Sequence, residues 1–178
     1  MWQKILGYGL VAGLVVAIPM NVMMIAVQGK PPLAWGMVFG YVTMLIALSA
    51  VFVAIKRYRD TELGGVIRFW PALGLGLGIS IVAGIVYVLA WELSLVITHM
   101  DFGAAYADTL IAEKKAAGVG ADELARLTAE MNTFKTDYAN PLYRMPMTFA
   151  EIFPVGVLVS LVSAALLRNS RFLAARRA

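Results

Sequence analysis

The sequence predicts an all-α polytopic membrane protein, with four transmembrane helices and a helical hairpin in the loop between the third and the fourth. Of the 178 residues, 61% are hydrophobic and 15% are charged, and four apolar runs are long enough to cross a bilayer. Soluble domains average about 45–50% apolar and about 25% charged residues. A soluble fold this apolar would expose the excess and aggregate. The composition therefore requires lipid.

The four runs cover residues 5–27, 36–55, 72–98 and 149–167, and a spanning helix needs about 20 mostly apolar residues. The first run is longer than the apolar region of a signal peptide and lacks a clear cleavage site, so we expect it to be retained. Small residues four positions apart allow helices to approach closely in lipid. Such pairs are Gly9 and Gly13, Gly36 and Gly40, Gly74 and Gly78, and Ser160 and Ala164. We expect one transmembrane domain over residues 1–178.

The segment between the third and fourth runs, residues 99–148, predicts a hairpin of two helices. A first helix is expected from Asp101 to Ala117, and residues 118–120 break it from a second helix that Asp122 caps and Pro141 follows. Apolar residues of the second helix recur at steps of three and four, which places them on one face. These residues are Leu124, Leu127, Met131, Phe134 and Tyr138. The hairpin either closes on itself or on the membrane face, or it offers a docking surface to a partner.

The positions of the basic residues predict the orientation of the chain. The net charge is +4 with a pI of about 9.5, but the basic residues collect beside apolar runs, which indicates topology and not nucleic-acid binding. The residues on one side of the membrane are Lys4, Lys56, Arg57, Arg59, Arg68, Arg168, Arg171, Arg176 and Arg177. The N and C termini are therefore expected in the cytoplasm of a bacterium and residues 99–148 in the periplasm, with the inner membrane between them.

A set of polar groups falls near the periplasmic ends of the predicted spans. Its members are Asn21, Thr43, Glu92, His99, Arg144 and Glu151. A charge at the bilayer centre costs about 2.5–3.5 kcal/mol even on the lenient insertion scale, so these carboxylates need an explanation. In one hypothesis, Glu92 and Glu151 form an outward-opening acidic pocket that binds a cation, a proton or a small ligand. In the other, Glu92 pairs with Arg144, and Glu151 lies in the first turn of its helix, where the helix dipole favours an anion.

The residue inventory excludes several kinds of chemistry. The chain has no cysteine and a single histidine, which excludes iron–sulfur clusters and cysteine-ligated zinc. His99 with Asp101 is too small a set to predict a metal site. A nucleophile with its base is not recognisable in the sequence. We therefore expect no enzymatic activity, no cofactor and no metal.

Several short segments resemble a known family when their order and spacing are taken together. They are Ile55–Asp60, Gly64-Gly65, Trp91-Glu92, Tyr138–Leu142 and Glu151–Gly156. The set resembles the bacterial family called domain of unknown function 4199, over essentially the whole chain. The resemblance implies a small four-span membrane protein without an assigned activity, and it carries over no catalytic residues.

Two functions follow as expectations. The first is a non-enzymatic scaffold in the inner membrane that acts through the lipid bilayer and through a partner, either a second copy of the chain or another membrane protein. The alternative is a small cation- or proton-linked carrier or channel that uses Glu92 and Glu151.

Overall fold

The computed structural model describes residues 2–26 and 33–174, and these residues form six α-helices and no strand. The helices are α1 (Trp2–Ala26), α2 (Leu33–Glu62), α3 (Phe69–Thr98), α4 (Phe102–Ala116), α5 (Ala121–Tyr138) and α6 (Pro141–Leu167). Four of them, α1, α2, α3 and α6, are long and apolar enough to cross a membrane. The predicted fold class is confirmed. The end of the first predicted run at Val27, Lys30, and the C-terminal residues Arg176 and Arg177 lie outside the described residues.

Helix α3 packs most extensively, against α1 on one side and α6 on the other. Gly9 lies against Val82 and Gly13 against Val86, so α1 and α3 run parallel. A Cβ at Gly9 would lie 2.5 Å from the Val82 Cβ, which is closer than atoms of two side chains can approach. These two glycines therefore let the helices meet at backbone distance, as the sequence predicted.

The α3–α6 interface is also built from small residues, but its two helices run in opposite directions. Gly76 lies against Ser160 and Ser80 against Gly156, so the two helices run antiparallel. The hydroxyls of Ser80 and Ser160 lie 3.4 Å apart, and each also donates to a carbonyl of its own helix. By contrast, a Cβ added at Gly74 would meet no atom within 4 Å. The predicted packing role therefore does not apply to Gly74.

The bundle has two ends, which differ in their connections. We call the end where α3 ends and α6 begins the hairpin end, because α4 and α5 lie there, and the other the termini end. The apolar core includes Leu48, Val51, Leu75 and Ile79, all fully buried. The outward faces of the four long helices expose large apolar side chains such as Leu89, as expected for surfaces that contact lipid.

Two helices extend well beyond their predicted spans, and one predicted helix cap is wrong. Helix α6 begins at Pro141, eight residues before the predicted span, because Asn140 accepts a hydrogen bond from the Leu142 N–H at 3.0 Å and Pro141 occupies the first helical position. Helix α2 continues beyond residue 55 to Glu62. Helix α5 begins at Ala121 with Gly120 as its N-cap, so Asp122 lies in the first turn and does not cap it. Asp101 does cap α4, accepting from the Ala104 N–H at 2.9 Å.

Candidate functional site

The hairpin end carries an ion pair between two of the spanning helices. Arg144, in the first turn of α6, donates from Nε to Glu92 Oε1 at 2.7 Å and from Nη2 to Glu92 Oε2 at 2.5 Å. Both side chains are mostly buried, with 14% and 19% of their surfaces exposed. Two parallel hydrogen bonds fix the planar guanidinium against the planar carboxylate. The charge of Glu92 is therefore neutralised inside the protein, as one of the two sequence hypotheses expected.

The same arginine connects the spanning helices to the hairpin. Arg144 Nη1 donates to the Tyr138 carbonyl at 3.0 Å, and its guanidinium lies 5.6 Å from the centre of the Tyr138 ring. The Tyr138 hydroxyl in turn accepts a hydrogen bond from Trp91 Nε1 at 2.9 Å. One network therefore joins α3, α5 and α6.

Aromatic rings surround this network and dock the hairpin on α3. Phe102 contacts Trp91 edge-on at 5.0 Å and also lies 5.6 Å from the Tyr138 ring. Phe134 and Tyr106 continue the cluster between α4 and α5, with ring centres 5.6 Å apart. Edge-on and offset ring pairs each contribute about 0.5–1.5 kcal/mol beyond the area they bury. The apolar face of α5 is thus used within the protein, which agrees with a hairpin that closes on itself and on the bundle.

Tyr138 is the centre of the network and stays neutral at physiological pH. Burial of its side chain, together with the nearby negative charges of Glu151 and Glu92, raises the pKa of Tyr138 to about 12. The hydrogen bond from Trp91 and the charge of Arg144 act in the opposite direction. Because the phenol keeps its proton, its hydroxyl remains available both to accept from Trp91 and to donate.

Glu151 does not lie where the sequence placed it. Helix α6 begins ten residues before it, so Glu151 is not in the first turn, and the predicted stabilisation by the helix dipole is wrong. Its neighbour Ile152 packs against Gly84 of α3. Glu92 lies two turns farther toward the hairpin end, about 12 Å along the helix axis. The two carboxylates therefore occupy different levels of the bundle.

The other predicted members of the polar cluster satisfy themselves locally. The Asn21 side-chain amide donates to the Ala17 carbonyl at 2.8 Å, and the Thr43 hydroxyl donates to the Phe39 carbonyl at 2.8 Å. His99 is exposed and ends α3 with a left-handed backbone, at a φ of 51°. Of the predicted polar cluster, the structure therefore joins Glu92 to Arg144. The hydrogen bonds of Asn21 and Thr43 go to their own helices, and His99 is exposed at the end of α3. Within residues 2–26 and 33–174, no three histidine, aspartate or glutamate side chains gather at one point.

Sequence reasoning missed a second polar centre, at the termini end. Arg59 of α2 is fully buried, and its guanidinium donates to the carbonyls of Leu167, Phe172 and Leu173 at 3.4, 2.9 and 2.8 Å. The Arg59 Nε also donates to Asp60 at 2.7 Å. The last carbonyls of a helix have no partner within the helix, and Arg59 supplies one. From the sequence, Arg59 is interpreted only as a topology signal, because the carbonyls that it binds are more than a hundred residues away along the chain.

The fold and its polar centres define a class of protein: a four-span helical membrane protein with a helical hairpin fixed at one end of its bundle. Within this class, the chain belongs to the family described as protein of unknown function DUF4199, whose model matches residues 7–169. The family resemblance noted in the sequence is thereby confirmed. Comparison with curated proteins and with solved structures found no match.

Proposed function

We propose that this protein is a non-enzymatic membrane scaffold that holds the α4–α5 hairpin in a fixed position and presents it to a partner protein. The observation that carries this proposal is the network of Glu92, Arg144, Tyr138 and Trp91, which connects the hairpin to two spanning helices. A fixed hairpin lowers the ordering entropy that a partner must overcome on binding.

The outward surface of the hairpin favours a polar partner. Residues 101–140 contain seven acidic and four basic side chains, while the apolar residues of α5 face inward. Arg126 and Glu130 are exposed on α5, and neither takes part in an ion pair among the described residues. Rim charges of this kind steer association and select partners. We propose that the partner contacts this surface and that the spanning helices supply the membrane anchor.

The orientation we propose places the termini end in the cytoplasm of a bacterium and the hairpin in the periplasm, with the inner membrane between them. Arg57, Arg68, Arg168 and Arg171 are exposed at the termini end, and an excess of arginine and lysine favours the cytoplasmic side. Trp70 lies beside Arg68 with 76% of its surface exposed. Exposed tryptophan is typical of the lipid headgroup level.

The scaffold proposal is tested by photo-crosslinking in cells that express the full chain. A photoreactive amino acid is placed at Arg126 or at Glu130 on α5, and as a matched control at Ile46, which is exposed on the apolar face of α2. We expect a discrete protein adduct from both hairpin positions and lipid adducts from position 46. Adding Glu92→Gln is expected to lower the hairpin adduct severalfold. Lipid adducts alone, or no adduct, from both hairpin positions would contradict the proposal.

A small cation- or proton-linked carrier is the second candidate, and one observation favours it. Glu151 is exposed on a spanning helix and forms no ion pair among the described residues, whereas Glu92 is engaged by Arg144. A carrier would therefore use one carboxylate and not an acidic pair. Flux into proteoliposomes under an ion or proton gradient that is lost in Glu151→Gln, but kept in Glu123→Gln on the hairpin, would support this function over the scaffold.

A further inference from the structure

Glu151 lies inside the membrane-spanning part of α6. It is ten residues, about 15 Å along the helix axis, from the start of α6 at Pro141, and Ile152 beside it packs against Gly84 near the middle of α3. The Glu92–Arg144 pair is closer to the hairpin end than Glu151 is. The Glu151 carboxyl is therefore at a depth where a spanning helix is surrounded by hydrocarbon or protein.

Glu151 has no ion-pair or hydrogen-bond partner among the residues that the structure describes. The Arg144 guanidinium, the cation on its own helix, is held by Glu92 and by the Tyr138 carbonyl. The charged residues of α2 begin at Lys56, near the termini end, and α3 has no charged residue other than Glu92. Among the described residues, the ionisable groups close enough to be affected by its charge are the phenols of Tyr87 on α3 and Tyr138 on α5. Neither phenol supplies a positive charge.

From this geometry we propose that Glu151 is a reversible proton-binding site at membrane depth. A carboxylate in apolar surroundings without a cation is costly, and binding a proton removes that cost. The side chain is exposed at the surface of the bundle, so a reagent dissolved in the membrane can reach it without opening the core. The ligand of this site is the proton. The inference does not depend on the scaffold proposal, and a proton site does not by itself imply transport.

The site is tested with dicyclohexylcarbodiimide, a hydrophobic carbodiimide, applied to membranes that contain the full wild-type chain. The protonated carboxyl adds across the carbodiimide double bond and rearranges to a stable acylurea, without loss of any atom. Peptide mass spectrometry then locates the adduct. We expect it at Glu151, with a yield that falls about tenfold for each pH unit above the midpoint, because only the protonated form reacts.

Two other glutamates of the same chain serve as controls. Glu92 is expected to stay unlabelled because both of its carboxylate oxygens are engaged by Arg144. Glu123, exposed in the first turn of α5, is expected to react only with a water-soluble carbodiimide. The variant Glu151→Gln is expected to lose the adduct. The proposal is overturned if Glu151 stays unlabelled in the folded wild-type protein, if its labelling does not change with pH, or if Glu123 is labelled to the same yield. Because the decisive measurement uses the wild type, it does not depend on the folding of a variant.

Discussion

At the scale of single residues, the two carboxylates of the spanning helices differ in what surrounds them. Glu92 receives two hydrogen bonds from Arg144, and that arginine also holds the Tyr138 carbonyl. Glu151 lies two turns deeper and receives none from the described residues. The same side chain therefore has a structural role at one level of the bundle and is free to exchange a proton at the other.

The Glu92–Arg144 pair predicts a specific mutational pattern. Glu92→Gln leaves a mostly buried guanidinium without its counter-charge, which costs about 1–3 kcal/mol of stability. Arg144→Glu is expected to cost more, because it places two carboxylates together and removes the donor to the Tyr138 carbonyl. Adding Glu92→Arg to Arg144→Glu restores opposite charges and is expected to recover part of that loss. Thermal unfolding in detergent or nanodiscs measures the stability of all three variants. An exchange variant no more stable than Arg144→Glu alone would show that the pair does not act as two interacting charges.

At the scale of the elements, the bundle depends on a few glycines and not on every small residue in the spans. A Cβ at Gly156 would lie 2.6 Å from the Ser80 Cβ, whereas a Cβ at Gly74 would meet nothing within 4 Å. Both glycines lie within spanning helices. Small residues four apart in the sequence show that helices can approach closely, but only the helix arrangement shows which of them do.

This difference predicts the outcome of two matched substitutions. Gly156→Val is expected to force α3 and α6 apart and to destabilise the protein by about 1–3 kcal/mol, the usual cost of overpacking a filled interface. Gly74→Val is expected to change the stability by less than about 0.5 kcal/mol, since its surroundings are open. Unfolding of both variants in the same nanodiscs provides the comparison. Equal losses in the two variants would mean that α3 and α6 are not packed through Gly156.

Part of the fold could be predicted from the sequence, because hydrophobic runs and turn residues act locally. The four spans and the break at residues 118–120 follow from such local signals. The start of α6 could not be predicted in this way. Residues 141–148 are helical, but they include Arg144 and Pro146, which interrupt the apolar run. The hydrogen bonds of Arg59 to backbone carbonyls could not be predicted either, since they join residues 108 to 114 positions apart.

At the scale of the whole molecule, its two ends are held by two arginines. Arg59 holds the chain after α6 at the termini end, and Arg144 holds the last residue of α5 at the hairpin end. Each arginine comes from a spanning helix, and each binds backbone carbonyls that lie at or beyond a helix end. Arg59 thereby joins α2 to the end of α6, and Arg144 joins α6 to α3 and α5.

The proposed orientation can be tested because the chain contains no cysteine. Single cysteines are introduced at Ala117 in the hairpin or at Ser170 after α6, both of which are exposed. A membrane-impermeant maleimide applied to intact spheroplasts is expected to label position 117, and to label position 170 only after the membrane is opened. The reverse pattern would invert the orientation. Labelling of both positions in intact spheroplasts would contradict the crossing of the membrane by α6, which lies between them.

The fixed attachment of the hairpin is tested most directly by a distance measurement. Spin labels are attached to cysteines at Ile97, exposed at the end of α3, and at Glu130, exposed on α5, in protein reconstituted into nanodiscs. Pulsed electron spin resonance is expected to give one narrow distance distribution in the wild-type background and a clearly broader one with Glu92→Gln. A broad distribution in the wild-type background, or one that Glu92→Gln leaves unchanged, would contradict a hairpin held by the Glu92–Arg144 network.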